Sequence, residues 1–141
     1  MPKKKRKSKA KGIHVKAKKK EAVARATIKA GKGIVKVNHL AIDAITPHYV
    51  HELIKEPIYI AGDLCNGVDI IVEVRGGGFM GQAIAARGAI AKALVEFTGD
   101  EKLRKTFMNY DRLLLVDDAR RVESKKPLGP KARAKKQKSK R

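Results

Sequence analysis

Several residue types are scarce in this 141-residue chain, and each scarcity excludes something. There is one cysteine, Cys65. A disulfide framework within the chain and a cysteine-rich zinc site are therefore excluded, and a reduced compartment fits. Cys65 is expected to be a small, partly buried hydrophobe rather than a nucleophile. Tryptophan is absent, and the only other large aromatics are Tyr49, Tyr59, Phe79, Phe97, Phe107 and Tyr110. Most of these stand where a core would want them, which leaves few rings to stack on nucleic-acid bases. No run approaches 18 apolar residues, so no segment reads as membrane-spanning. The N-terminus carries charge without the apolar stretch of a signal peptide, and neither end carries a lipidation motif.

Acidic residues are scarce too, 14 against 34 lysines and arginines, for a net charge of +20. Distribution says more than the total. Residues 1–20 hold eleven basic residues and no acid, and residues 119–141 hold eleven and a single acid, Glu123. The remaining 12 basic residues face 13 acidic ones, so the middle nets −1. The expected organisation is a basic arm (1–20), a near-neutral globular domain (21–118) and a basic tail (119–141). Alone, such arms repel themselves and bury too little apolar surface to order. Their natural partner is a polyanion whose condensed counterions they release. An anionic membrane is disfavoured because the arms have no apolar or aromatic residues to insert.

In the domain, "EAVARATIKAGKGIVKVN" (21–38) predicts a β-hairpin turning at the glycines of "GKG". "TPHYVHELIKEP" (46–57) predicts a short helix with Thr46 as N-cap and Pro47 at its first position, ending at or just before Pro57. "VDIIVEVR" (68–75) is the clearest strand, with Val68, Ile70, Val72 and Val74 on one face. A helix follows over 82–97, with Ile84, Gly88, Ala91 and Val95 forming a stripe at helical spacing. A second helix is expected over 99–110, capped by Gly99 or Asp100 and carrying Leu103 and Phe107. "RLLLV" (112–116) reads as a last strand. The predicted class is α+β: a small mixed sheet with helices packed on one face.

Catalytic and metal motifs are weak. Gly76, Gly78 and Gly81 satisfy G-x-G-x-x-G between a strand and a helix, as in dinucleotide-binding folds. The acidic strand end expected about 20 residues on is missing, because that distance falls at the start of another helix. Close packing of a helix start against a strand is the favoured reading, and exposed N–H groups there would also suit an RNA phosphate. His48 and His51 share a helix face with no third ligand at a recognisable spacing. Asp117 and Asp118 are adjacent and so point apart. The chain is expected to be no enzyme and to need no cofactor or metal. "PKKKRK" (2–7) resembles a nuclear address. The charge nevertheless continues to Lys20, which favours an arm lying along nucleic acid.

Three stretches carry a resemblance: "KKKEAVARATIKAGKGIVKVN", "VDIIVEVRGGGFMGQAIAARGAIAKALVEF" and "YDRLLLVDDARRVESKKPLGPKARAKKQKSKR". In this order, from about Lys18 to Arg141, the chain resembles the S-nine family of small-subunit ribosomal proteins, in its archaeal and eukaryotic branch. The resemblance implies a fold like the second domain of ribosomal protein S five. It implies a cytoplasmic place in the ribosome, in the head of the small subunit, among ribosomal RNA and neighbouring ribosomal proteins. It further implies that the tail tip touches P-site transfer RNA, a role falling on Lys140 and Arg141 with Ser139 and Lys138 behind them. Expected ribosomal RNA contacts are Lys18, Lys19, Lys20, Arg25, Arg120, Arg121, Lys125, Lys126, Lys131, Arg133, Lys135 and Lys136. Extended, the 17 residues from Lys125 to Arg141 would reach roughly 55 Å. The rival from composition alone is a chromatin-type basic DNA-binding protein, although such proteins usually carry their charge on the folded body.

Overall fold

The computed structural model describes residues 12–135. Five strands form one sheet: β1 (Ile13–Lys19), β2 (Ala22–Ala30), β3 (Val35–Val37), β4 (Leu40–Ala41) and β5 (Val68–Arg75). Their spatial order is β1-β2-β5-β3-β4, with β3 and β5 parallel and every other pair antiparallel. Three helices, α1 (His48–Ala61), α2 (Phe79–Thr98) and α3 (Glu101–Tyr110), complete the α+β fold. Alternation along β2 and β5 buries Ala22, Ala24, Ala26, Ile28, Val68, Ile70, Val72 and Val74 under the helices. The opposite face of the sheet stays open.

The body starts earlier than the charge pattern suggests. Ile13–Lys19, read as part of the arm, is a strand whose every residue pairs with β2. Its alternation of polar His14, Lys16 and Lys18 with Ile13, Val15 and buried Ala17 is the period of a half-buried strand. The lysines had masked it.

The hairpin expected over 21–38 is not formed. β2 and β3 run antiparallel but lie apart, because β5 enters between them and pairs with both. The loop from Gly31 to Ile34 arches over the end of β5. There the Asp69 carboxylate accepts the N–H groups of Lys32 (2.8 Å) and Ile34 (3.0 Å). These two bonds hold its carboxyl below the usual carboxylate range. A side chain at Gly31 would run into that carboxylate.

Helix α1 begins at His48 with Pro47 as N-cap, one residue later than expected, and continues four residues past Pro57. Proline removes one ladder N–H. The buried series Val50, Ile54, Pro57 and Ala61 nevertheless keeps helical spacing through it, and packing prevails over the lost bond. Gly62, at φ +55°, closes the helix. Helix α2 is buried almost all round, lying between the sheet and α1. Of its expected stripe, Gly88 and Ala91 are buried while Ile84 and Val95 are only half-buried. Helix α3 is capped as expected: Asp100 accepts the N–H of Lys102 at 2.8 Å, and Leu103 and Phe107 are buried.

Two further expectations fail for physical reasons. "RLLLV" is not a strand, because Asp111 accepts the Leu113 N–H at 2.8 Å and winds Arg112–Leu114 into a 3-10 turn that buries Leu114. The core also contains a single aromatic ring, Phe107; Tyr49, Tyr59, Phe79, Phe97 and Tyr110 are exposed. Alanines on both sides of the α2–sheet contact (Ala22, Ala24 and Ala26 against Ala83, Ala86 and Ala89) leave space for short side chains only.

Candidate nucleic-acid interface

One end of the sheet brings together Lys18, Lys19, Lys20 and Arg120 of the expected contact residues. The β1–β2 turn carries Lys18–Lys20, with Lys20 at φ +54°. The loop before α2 packs on this turn. A Cβ at Gly76 would lie 2.7 Å from the Glu21 carbonyl oxygen, and one at Gly77 3.1 Å from the Ala22 Cβ. Gly76 and Gly77 have φ of +80° and +64°, so glycine is required there for close approach and for conformation alike. Close packing thus accounts for these glycines, whereas a Cβ added at Gly78 would meet nothing within 4 Å.

The tail leaves from the same end. Asp118 forms a single parallel bridge with Lys19: the Lys20 N–H donates to the Asp118 carbonyl (2.9 Å) and the Asp118 N–H to the Lys18 carbonyl (3.1 Å). Its buried carboxylate accepts Arg120 in a fork, Nε at 3.0 Å and Nη2 at 2.8 Å, and Lys19 Nζ at 2.7 Å. Arg120 first, then Lys19, hold this carboxyl far below its usual range. The neighbouring Asp117 turns the other way, as adjacency required, and accepts the Lys18 N–H (3.1 Å) and Lys92 Nζ. Sequence reasoning noted that Asp117 and Asp118, at the end of the domain, point apart, without seeing that they fasten the tail. Their signal was the pair itself, just where charge changes sign.

The expected contact residues therefore divide. Lys19 and Arg120 are neutralised by Asp118, and Arg133 and Lys126 face Glu123 at 2.8 and 3.9 Å. Lys18, Lys20, Arg25, Arg121, Lys125, Lys131 and Lys135 have no carboxylate partner among the described residues. Arg25 stands apart from this end, on the open face of the sheet. Lys136, Lys138, Ser139, Lys140 and Arg141 lie outside the described residues. Between residues 119 and 135 there is neither helix nor strand. The stretch is not fully extended, because a turn through Pro127–Gly129 brings Arg133 back to Glu123. Val122 (90% exposed) and Leu128 (92%) are almost fully exposed.

Elsewhere, Glu52 supplies the third group beside His48 and His51 that spacing had not revealed. His51 already directs Nδ1 to Glu52 (3.1 Å) and Nε2 to Asp43 (3.4 Å), so the cluster is an ion-paired patch at the start of α1. Burial pushes the Cys65 thiol up to about 11, which leaves it protonated and unreactive near neutral pH. No helix among the described residues is long and apolar enough to cross a membrane.

Residues 17–141 match the family described as "Ribosomal protein S9/S16". A protein of Methanococcus maripaludis strain C7, "Small ribosomal subunit protein uS9", is 43% identical over 131 residues, covering 90% of this chain and 96% of that one. Its counterpart from strain C5 matches to the same extent. The likeness runs along nearly the whole chain, basic tail included, and the chain belongs to the ribosomal protein S9/S16 family.

Proposed function

We propose that this ribosomal protein is a structural constituent of the head of the small subunit. It binds ribosomal RNA through its basic segments and carries its C-terminal tip to P-site transfer RNA. The observation that carries this reading is the family match running through residue 141, tail included. The body from Ile13 to Asp118 has 16 basic and 13 acidic residues, a net charge of only +3, whereas the tail holds ten more positive than negative residues. Counterion release makes such a tail an RNA ligand without a folded recognition surface. Asp117 and Asp118 fix where the tail begins, so its reach is measured from a defined point on β1. Lys138, Ser139, Lys140 and Arg141 are the proposed transfer RNA contacts. Neighbouring ribosomal proteins cover the tail's root, where Val122 and Leu128 are exposed apolar groups.

Deleting Ser139–Arg141 tests this. Truncated protein is expected to co-sediment with small subunits after a high-salt wash, as the full chain does. Transfer RNA should bind the P site of those subunits more weakly. Unchanged transfer RNA affinity would overturn the role of the tip, and loss of co-sedimentation by the full chain would overturn the whole reading.

A further inference from the structure

The open face of the sheet is a second basic surface, independent of both arms. Lys16 and Lys18 of β1, Arg25 and Lys29 of β2, Lys36 of β3 and Arg75 of β5 all project from it, as the alternation of the strands requires. The register puts Lys16 directly opposite Arg25, a like-charge pair that costs stability in an isolated sheet. Only two carboxylates share the face. Asp69 is engaged by the amides of Lys32 and Ile34, and Glu73, opposite Arg25, comes within ion-pair distance of no cation among the described residues.

Lys55, Arg87 and Lys92 of α1 and α2 are each ion-paired, whereas Lys102 and Lys105 of α3 and all six cations on the open face have no carboxylate within ion-pair distance among the described residues. The open face is set apart by density: six unpaired cations on four adjacent strands, two of them directly opposed, leave it charged for an external anion. The centre of the face is low: Thr27 and Ile71 lie side by side beside His14, with no phenylalanine, tyrosine or tryptophan among them. The His14 ring alone is too little to stack a run of bases, while a backbone of phosphates and sugars fits. Strands stand ~4.8 Å apart, so the cations form a grid over four strands and not a single line.

We infer that this face docks the sugar–phosphate backbone of an RNA helix, with Lys16, Arg25 and Arg75 as its central phosphate contacts. The inference rests on the RNA-binding reading above and adds a site on the folded body. It takes A-form RNA by shape and charge, without reading sequence.

The test uses the full chain and a labelled RNA duplex, with affinity measured by anisotropy across a salt series. Lys16→Gln/Arg25→Gln/Arg75→Gln is compared with Lys102→Gln/Lys105→Gln/Arg112→Gln, which removes the same charge from exposed positions on the helix side. The face variant is expected to flatten the slope of log affinity against log salt by about 2 to 3, and the helix-side variant by less than about 1. Thermal melting should show the face variant folded, since it relieves like-charge opposition. If it is not folded, Lys29→Gln/Lys36→Gln takes its place with an expected flattening of about 1 to 2. Equal effects of the two triples, or no effect of the face triple, would overturn the inference. So would displacement of the duplex by polyglutamate as readily as by unlabelled RNA, which would make the occupant an acidic protein segment. The transfer RNA assay of the tip is separate, so either claim fails without the other.

Discussion

Asp118 concentrates the chemistry of the tail root in one side chain. It binds two cations, Arg120 two residues on and Lys19 across one bridge, which would otherwise add to the free positive charge at the root of the tail. Its carboxyl is held far below the ordinary 3.8 by Arg120 and Lys19. A depressed folded value means that the unfolded chain binds the proton more readily, so the stability lent by Asp118 is complete above the ordinary range, begins to fall as pH drops through it and is gone only below the folded value. Asp118→Asn should therefore lower the urea midpoint most at pH 6, and by steadily less as pH is taken below 3.8. A pH-independent difference would show that the hydrogen bonds, and not the charge, fasten the tail. The same substitution should raise trypsin cleavage at Arg120 and Arg121, because the fork that restrains Arg120 is gone.

At the scale of elements, the helical layer is joined by Arg87, a buried cation of α2. Its guanidinium meets Glu56 of α1 and, at 2.7 Å, Asp111 after α3, so one residue ties three helices together. Breaking a buried ion pair leaves uncompensated carboxylates, so Arg87→Met should cost about 3–5 kcal/mol in equilibrium unfolding. Glu56→Gln/Arg87→Met should cost less than the sum of its single changes, since the second removes a charge that the first had left alone. Additive losses would mean that Arg87 stabilises by packing only.

These elements also mark where sequence was legible. β5 and α3 followed their periodicity and cap, because the information lies within ten residues. The placement of β5 between β2 and β3 did not, because Asp69 organises the "GKGI" loop from more than thirty residues away. β1 was hidden for a different reason. Its open-face positions are filled with His14, Lys16 and Lys18, and a run of lysines reads as an arm unless the intervening Ile13, Val15 and Ala17 are weighed. In the candidate interface the charge runs were legible. Which cations are already neutralised was not, since Lys19–Asp118 and Arg133–Glu123 are pairings across a bridge and a turn.

For the whole molecule, the two basic segments leave from opposite ends of one edge strand. The chain enters β1 at Ile13, and the tail is bridged to its last residue, Lys19. Seven residues at ~3.3 Å each set these points roughly 23 Å apart. The open face, with Lys16, Lys18 and Arg25, lies between them, so cations are continuous from one segment to the other across the body. Affinity for RNA then becomes a sum over separate phosphate contacts, and each part has its own share of the salt dependence. Removing residues 136–141 takes away Lys136, Lys138, Lys140 and Arg141. If all four meet phosphates, the salt slope for small-subunit RNA should fall by about 3 to 4. The melting temperature of the free protein should stay unchanged, because every ion pair described in the body survives. A slope unchanged by the truncation would place the RNA contacts on the body, whereas a lowered melting temperature would mean that the tip packs on the domain.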